Sequence, residues 1–493
     1  MTPGWREDGT AGRFLFAALL LTLICLAAGA QPSHRWTLYG GGDGADGAAG
    51  LAVSASGTLV VAVSREAEAE VLSLSPYGRI LSASPSGSGG GFSAVVADAG
   101  ARLWLVGWTD SPAFPYGLAG DSLPGGGDAF FLLLPPVLPP TSVTVLGGEG
   151  RDEATCFAVS PQETQYLCGR TTSFSGIATP NAVFTQYRGA GDGFVAAYGN
   201  GSRRWSSYLG GGAGDEIRAA CTGPDGSLYV SGNTSSDDFP CEGGADTCKN
   251  GGVDAFLARF SGEGQLLWST FFGGDGDESV ERLAWDGDGL ILLGDTNSSD
   301  LPTPGGYDPG HNGGRDLFVA RWSPAGRLLW CSYFGGPGDE TAADLLVEAP
   351  GVLRALATTN STTLPSWIEP IGPGGMEDLL LCLFNETGVP LEGQRLGGSG
   401  SDRARAVGRD PRGRFFIAFD TQSTDWPRAY GGNHHFTAGW DYAVVGLWEG
   451  WAPDLFELGL YWRSQGMPLA PDLSGDGAVD EWDALELWRR WHK

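Results

Sequence analysis

The segment GGPGDE, at residues 335–340, recurs along the chain with small changes. The first glycines of successive copies are 64, 62, 62 and 62 residues apart from residue 147 onward. The related hexapeptides are GGDGAD at 41–46, GGEGRD at 147–152, GGAGDE at 211–216, GGDGDE at 273–278 and GGSGSD at 397–402. A fixed period of this length indicates a repeat protein built from similar structural units.

The period excludes two ligand-binding interpretations of this glycine-acid motif. RTX-type calcium repeats also read GGxGxD, but they recur about every nine residues and stack into a β-helix. Glycine-rich phosphate cradles open a helix, and no glycine pair here precedes a helical pattern. The motif is therefore interpreted as a turn between β-strands.

Each unit contains four segments typical of short strands. In residues 273–334 these are SVERLAW (279–285), LILLGDT (290–296), DLFVARW (316–322) and RLLWCSYF (327–334). Turn residues separate the first two and the last two, and a long polar loop separates the middle pair. Four strands in each of several repeated units predict an all-β fold, a β-propeller of four-stranded blades.

The blade count and the closure of the ring follow from the rest of the repeat region. The 106 residues from Gly41 to Gly147 hold two shortened units, with a degraded marker GSGGGF at 87–92, which makes seven units. The last unit ends after DYAVVGLW (441–448) and lacks a fourth strand. WTLYGG (36–41) matches the fourth-strand ending WSTFFGG (268–274), so we expect the first strand to complete the last blade and remove the open edge.

Acidic residues recur at two positions of the unit. One series follows the glycine pair and the other lies in a GGxDxF element. Since they recur in almost every blade, we expect them to accept hydrogen bonds from turn N–H groups, with repeated cation sites as the alternative. We expect the glycine pairs to supply positive φ and close backbone approach. The two series are Asp215, Glu278, Glu340 and Asp402, and Asp128, Asp192, Asp254, Asp316 and Asp441.

These motifs resemble the SBBP-type β-propeller repeat family of bacterial exported and surface proteins. The resemblance covers about residues 36–450 and is most specific in units three to six. It implies the propeller fold and export, and it leaves the ligand open.

The composition bounds the partners. The 493-residue chain has a formal net charge of −28, with 42% hydrophobic and 18% charged residues. A surface this acidic repels nucleic acid and anionic membranes. We therefore expect a soluble protein, a monomer, that has no nucleic-acid partner.

The N-terminus is typical of an exported protein. Residues 1–30 contain two arginines, an apolar run at 14–26 and a small-residue site at 28–30, which predicts a secretory signal peptide. The remaining chain should be secreted or extracellular, including at the cell surface, and should not insert into a membrane.

Seven cysteines and five histidines remain after removal of residues 1–30. Export permits disulfides, for which Cys156 with Cys168 and Cys241 with Cys248 are candidates, and the odd count leaves at least one thiol. No zinc spacing is present. His311 and the pair His434-His435 lie in long loops without an identified third metal ligand.

The segment PDLSGDGAVDEWDALELWRRW at 471–491 has the spacing of a twelve-residue calcium loop followed by a helix. Its glycine, Gly477, permits the sharp turn between hard oxygen ligands for Ca²⁺. A plain Asp-Gly turn before a helix is the alternative. The candidate ligands are Asp472, Ser474, Asp476, Ala478 through its carbonyl, Asp480 and Asp483.

The calcium loop and its helix resemble one dockerin repeat. Upstream, DLFELGLYW (454–462) repeats the helix DALELWRRW (483–491) without a ligand series, so residues 451–493 are interpreted as a small α-helical dockerin-like module with a degenerate first half. The resemblance implies docking on a cohesin-like or cell-envelope protein.

Three functions are compatible with these observations. The first is an exported, non-enzymatic binding or scaffold protein whose loops 171–191, 233–253, 296–314 and 421–439 recognise a protein or a glycan, with the tail mediating attachment. The second is a secreted polysaccharide-active enzyme with a dockerin-like tail, which predicts two or three acidic residues and aromatic platforms at one blade junction. The third is a purely structural envelope component.

Overall fold

The computed structural model describes residues 33–40, 47–64, 69–76, 79–114, 125–134, 143–426 and 441–448, and these form seven sheets. None of the described residues forms a helix long and apolar enough to cross a membrane. The strands, grouped as blades I to VII, are β2 (Gly47–Val53), β3 (Leu59–Ser64), β4 (Ala69–Leu74) and β5 (Ile80–Gly87) in blade I; β6 (Gly90–Ala97), β7 (Leu103–Thr109), β8 (Asp128–Leu134) and β9 (Thr144–Leu146) in blade II; β10 (Asp152–Val159), β11 (Gln165–Thr171), β12 (Asp192–Gly199) and β13 (Ser202–Leu209) in blade III; β14 (Asp215–Thr222), β15 (Leu228–Thr234), β16 (Asp254–Phe260) and β17 (Leu266–Phe272) in blade IV; β18 (Glu278–Trp285), β19 (Leu290–Thr296), β20 (Asp316–Trp322) and β21 (Leu328–Phe334) in blade V; β22 (Glu340–Ala349), β23 (Val352–Thr359), β24 (Ile368–Ile371), β25 (Asp378–Phe384) and β26 (Pro390–Leu396) in blade VI; β27 (Asp402–Arg409), β28 (Phe415–Thr421), β29 (Asp441–Trp448) and β1 (Ser33–Gly40) in blade VII.

The sheets form a closed seven-bladed β-propeller. The first strands of neighbouring blades contact one another around a complete ring, and β1 lies beside β29 as the outer strand of blade VII. The predicted all-β fold, the four-stranded blade and the closure by the N-terminal strand are therefore confirmed. The predicted helical module at 451–493 lies outside the described residues.

Blade VI departs from the predicted four strands. Its second and third strands, β23 and β25, are neighbours in the sheet, and the segment that connects them along the chain contains β24. This segment pairs in parallel with β26 and makes a fifth, outermost strand. The segment WIEPI (367–371) is shorter and more apolar than the polar loops of blades IV and V, and Ile368 is buried there. Burial of Ile368, with Trp367 packed against the apolar cluster between blades V and VI, accounts for the additional strand.

The cores lie between blades. One cluster joins side chains of blades III and IV, such as Tyr166 and Phe256, and the next joins blades IV and V, such as Tyr229 and Phe318. Similar clusters join blades I with II, II with III, and V with VI. Each blade therefore depends on its neighbours for burial of its apolar faces.

A tryptophan of the outer strand links three pairs of consecutive blades. Trp268 of β17 donates its Nε1–H to the carbonyl of Pro324, in the turn between the third and fourth strands of blade V, at 3.1 Å. Trp205 and Trp330 make the same bond to Gly262 and Glu386 of their following blades, at 2.9 and 3.0 Å. A glycine of each turn lies against the ring, and at Gly326 a Cβ atom would come within 2.9 Å of Trp268 Cδ2.

This contact predicts an unequal effect of alanine at two turn glycines. Gly326 and Gly201 both have positive φ, 77° and 74°, but no atom lies within 4 Å of the Cβ position of Gly201. Gly201→Ala should therefore cost only the left-handed backbone strain, about 1–2 kcal/mol. Gly326→Ala should cost about 1–3 kcal/mol more because it also displaces Trp268. Thermal unfolding of the two variants measures the difference, and equal losses would contradict the tryptophan contact.

Candidate functional site

The residues of the predicted calcium loop, 472–483, lie outside the described residues, as do residues 1–30 and His434-His435. Calcium binding at Asp472, Ser474, Asp476, Ala478, Asp480 and Asp483 therefore stays a prediction. Within the described ranges, no group of three or more His, Cys, Asp or Glu side chains is arranged to hold a metal ion.

The cysteines and His311 are placed by the described residues. Cys156 of β10 lies directly opposite Cys168 of β11, as predicted, but the structure holds both as thiols, and the same is true of Cys241 and Cys248. All seven cysteines from 156 to 382 are thiols in this structure. His311 packs edge-on against Tyr333, with ring centroids 5.9 Å apart.

The acidic residue after each glycine pair is a structural anchor. It begins the inner strand of its blade and accepts the N–H of the second glycine; at blade V, for example, Gly274 donates to Glu278 at 3.1 Å. It also accepts hydroxyl hydrogen bonds from a Thr-x-Ser motif at the end of the second strand, where Thr296 and Ser298 bond Glu278 at 2.6 Å each. The other anchors that accept the glycine N–H are Asp152, Asp215, Glu340 and Asp402, at 2.7–2.8 Å.

A second carboxylate faces each anchor from the preceding blade. Asp254, at the start of β16, accepts the N–H groups of Asn250 and Gly251 at 2.9 Å each, and it interacts electrostatically with Glu278. The five pairs are Asp128 with Asp152, Asp192 with Asp215, Asp254 with Glu278, Asp316 with Glu340, and Asp378 with Asp402. Asp378 was not identified in the sequence because its segment, GGMEDLL, lacks the phenylalanine of the GGxDxF element.

The first glycine of each motif lies between the two carboxylates. A Cβ atom at Gly147 would overlap Asp128 Oδ1, and one at Gly397 would overlap Asp378 Oδ1. The expected close approach is therefore confirmed. The expected positive φ is wrong for the glycine pairs from residue 147 onward, which the structure describes, since none of them is among the positive-φ glycines. At blade IV the anchor is reached from Gly211, the second glycine, so the structural motif there begins at Gly210, one residue before the predicted one.

The paired carboxylates resist ionisation. Burial and the charge of Asp152 raise the pKa of Asp128 to about 6. Burial, offset in part by two backbone N–H donors, raises the pKa of Asp192 to about 6, with Asp215 contributing. Both oxygens of Asp128 are buried and accept no hydrogen bond from a described residue. A proton shared between the two carboxyls would relieve their repulsion.

Stability should therefore decrease as pH rises through about 6. A carboxyl whose pKa is higher in the folded state than in the unfolded state binds an additional proton when folded, so its contribution is complete below the unfolded value near 3.8 and is lost above the folded value. Asp128→Asn remains neutral, so at pH 8 its free energy of unfolding should exceed that of the parent by at most about 3 kcal/mol, and it should unfold at a higher temperature. At pH 5 the difference should be smaller. Thermal unfolding at both pH values measures this, with the exposed Asp110→Asn as control. A difference that does not change with pH would contradict the raised pKa.

The face of the propeller that carries these junctions also carries the long loops between second and third strands. We call it the loop face, defined by residues 172–191, 235–253, 297–315 and 360–377 together with the glycine motifs; the opposite end, formed by the short turns between first and second strands and between third and fourth strands, is the turn face. Four large apolar side chains of the loop face are exposed: Phe174 by 71%, Val183 by 37%, Tyr307 by 54% and Met376 by 73%.

Met376 interrupts the symmetry of the loop face. Its N–H donates to the carbonyl of Gly400 at 3.1 Å, and a bond of the same type occurs at four preceding blade junctions. The donors there are Gly126, Ala190, Gly252 and Gly314. The repeat thus requires only the backbone at this position, and Met376 adds a long side chain where other blades have a hydrogen or a methyl group.

The ring of inner strands also differs from blade to blade. Each of the seven inner strands has a β-bulge near its fourth residue. The residue inserted at the bulge is small or uncharged in blades I to III and VI, and charged in blades IV, V and VII. The inserted residues are Ala49, Ser93, Thr155, Arg218, Glu281, Ala343 and Arg405.

Charged pairs connect the inner strands of blades IV to VII. Arg218 binds Glu281 of the next blade and donates to the carbonyl of Val280 at 2.9 Å. Arg282 binds Asp344 of blade VI at 2.7 Å, and the other oxygen of Asp344 accepts the N–H of Val407 in blade VII at 2.8 Å. About a third of the Arg218 and Arg282 side chains is exposed, so solvent reaches these ion pairs on the inner strands.

The second strand also contributes to these links. At four blade junctions its polar side chain accepts the N–H of the residue before the next blade's bulge; Asp295, for instance, accepts that of Ala342 at 3.2 Å. The pairs are Asn233 with Val280, Asp295 with Ala342, Thr358 with Ala404 and Asp420 with Ala48. The acceptor and donor are 46 or 47 residues apart in the three sequential cases, a spacing that the sequence contains and that the prediction did not use.

Ion pairs continue this pattern at the loop face. Arg315 binds Asp295 at 2.5 Å, Arg403 binds Glu377 at 2.8 Å, and Arg405 binds Asp420 at 2.6 Å. Burial raises the pKa of Asp295, and the charge of Arg315 offsets this in part. A guanidinium beside a carboxylate presents donors and acceptors together, which suits a hydroxyl group that both donates and accepts.

Comparisons with known proteins place this chain in no family. No family model matches it. The regulatory protein FlaEY of Caulobacter vibrioides is 27% identical over 105 residues, which cover 20% of this chain and 11% of that protein. The chain thus spans about a tenth of the length of this curated relative.

Solved structures show more extensive but weaker similarity. A streptogramin B lyase is 10% identical with a TM-score of 0.37, and the match covers 84% of this chain and 100% of that one. An ulvan lyase of polysaccharide lyase family PL25, bound to -[GlcA(1-4)Rha3S]-, is 11% identical with a TM-score of 0.41, over 79% and 93% of the two chains.

Proposed function

We propose that this chain is an exported, non-enzymatic binding protein of the SBBP repeat type whose loop face recognises a glycan. The proposal rests on the difference between the repeated and the variable side chains of that face. The repeated carboxylates are buried within the scaffold, whereas side chains that differ between blades, such as Phe174, Tyr307 and Met376, are exposed. A binding site is expected to break the symmetry of a repeat in this way, on loops held by a rigid scaffold.

The chemistry of the loop face favours a neutral glycan. Phe174 and Tyr307 offer exposed aromatic surface for the apolar faces of sugar rings, and Arg315 with Asp295 offers paired donors and acceptors for hydroxyls. The net charge of −28 disfavours polyanionic ligands. A protein ligand is the alternative outcome of the binding test.

The enzyme hypothesis predicts acidic residues gathered asymmetrically at one blade junction. The described carboxylate pairs instead recur at five junctions, and Asp128, Asp192, Asp254, Asp316 and Asp378 are all buried. Their arrangement supports a scaffold role for these residues and does not favour the alternative of a polysaccharide-active enzyme.

The first test is binding of the full chain to an array of neutral and charged glycans, followed by titration calorimetry with the best ligand. Phe174→Ala, Tyr307→Ala and Met376→Ala should each weaken binding by about tenfold, since each removes exposed apolar contact area. Leu267→Ala, which removes a 47% exposed side chain from the outer strand of blade IV, is the matched control and should have no effect. Unchanged binding by all three loop-face variants would place recognition elsewhere.

We further propose that residues 451–493 form a dockerin-like calcium module that attaches the propeller to a cohesin-like or cell-envelope protein. The proposal rests on the ligand spacing from Asp472 to Asp483 and on the apolar helical pattern that follows.

Calorimetric titration of the full chain with Ca²⁺ should give one site, and Asp476→Ala should lower its affinity by about a hundredfold because a charged ligand is lost. Glu486→Gln, an acidic residue outside the loop, should leave the affinity unchanged. Capture of an envelope partner that requires both calcium and residues after Trp448 would support attachment by the tail. Capture by a chain ending at Trp448 in EDTA would contradict it.

A further inference from the structure

The turn face contains a cavity of about 570 Å³ that belongs to none of the features above. It lies among the turns between first and second strands of blades I, II, VI and VII, and its wall includes Val53, Leu346, Glu348, Arg409, Pro411 and Arg412. Its volume is within the range of small-molecule sites, about 300–1,000 Å³.

One side of the cavity is formed where blade VI departs from the repeat. Its inner strand β22 has ten residues, whereas the inner strands of blades II to V and VII have eight. The additional length contains a second bulge, between Val347 and Ala349, where Glu348 is inserted. Leu346, Val347 and Glu348 are only partly buried there and form one side of the cavity. Bulges of this kind re-aim side chains, and they are over-represented next to functional sites.

The two carboxylates of the cavity wall are already paired. Glu348 binds Arg354, a buried arginine that also binds Glu392 at 2.9 Å. Asp410 accepts the N–H groups of Arg412 and Arg414 at 3.0 and 2.9 Å and the Nε–H of the buried Arg414 at 2.6 Å. Glu348 and Glu392 are thus engaged by the buried Arg354, and Asp410 by the buried Arg414, while Arg409 adds a further guanidinium to the cavity wall.

Arg409 is held in place with most of its hydrogen-bond donors unused. Its guanidinium lies over the ring of Phe415, 5.3 Å from the centroid, and one N–H donates to the carbonyl of Glu348 at 3.3 Å. The carboxylate of Glu348 is 3.9 Å away, beyond hydrogen-bond distance. The guanidinium has five N–H donors, and 37% of the side chain is exposed.

We propose that this cavity binds a small organic anion with an apolar body. Arg409 binds the carboxylate, sulfonate or phosphate group, and Val53, Leu346 and Pro411 contact the apolar part. The site is at the opposite end of the propeller from the loop face, so it does not depend on the function proposed for that face.

The test uses two dyes that share an anilinonaphthalene body and differ in charge, 8-anilinonaphthalene-1-sulfonate and neutral N-phenyl-1-naphthylamine, titrated into the full chain by fluorescence. Arg409→Gln should weaken binding of the sulfonate about tenfold or more and leave the neutral dye unaffected, because it removes one charge-assisted contact. Arg327→Gln, at an exposed turn-face arginine of blade V, is the control and should bind both dyes like the parent.

A second variant tests the position of the apolar part. Ala55 is an exposed residue of the cavity wall, so Ala55→Trp should fill the cavity without disturbing the core and should weaken both dyes. Near-ultraviolet circular dichroism and thermal unfolding confirm that each variant is folded. The proposal is overturned if the sulfonate binds Arg409→Gln as tightly as the parent, or if Ala55→Trp leaves both affinities unchanged.

Discussion

The propeller depends on the meeting of two carboxylates at the junction between blades, with a glycine between them. The anchor, such as Glu278, positions the start of one blade, and its neighbour, such as Asp254, positions the loop of the blade before. A side chain at Gly273 would overlap the anchor, so the spacing of the two carboxylates requires glycine there. The charge repulsion that this arrangement creates is offset by glycine N–H groups and by hydroxyls of the Thr-x-Ser motif. The glycine-acid repeat in the sequence therefore corresponds to one arrangement, two carboxylates with a glycine between them, which occurs at five blade junctions.

Three sets of contacts, at different positions in the blade, hold neighbouring blades together. At the inner strands, second-strand side chains such as Asp295 accept the N–H group of the residue before the next blade's bulge. At the loop face the carboxylate pairs fix the junctions, and at the outer edge Trp205, Trp268 and Trp330 bind the turns of their following blades. Since the apolar clusters also lie between blades, a single blade has no core of its own. Ring closure by β1 is then needed so that blade VII also has an outer strand.

The sequence predicted what the repeat itself encodes: seven units, four strands in each, and closure by the N-terminal strand. It also identified the acidic series, because these residues recur at fixed positions. Asp378 was missed because recognition relied on a neighbouring phenylalanine, and β24 was missed because its burial depends on blade packing. The ion pairs Arg218–Glu281 and Arg282–Asp344 join residues about 62 positions apart in a strand pattern that gives no signal for charge pairing. One side of the cavity beside Arg409 is formed by an additional bulge in β22, for which the sequence contains no local motif.

The places where the repeat is relaxed indicate where selection for a ligand would be free to act. Position 376 needs only its backbone N–H for the junction, so its side chain is not constrained by the fold, and the chain has methionine there. Similarly, β22 has to lead into β23 but does not need the second bulge, which inserts Glu348 between Val347 and Ala349. An exposed methionine and a cavity lined by the partly exposed Arg409 offer no evident gain in stability to the propeller. Departures that the scaffold does not require are best explained by contacts with something outside it, and they occur on both faces of the ring.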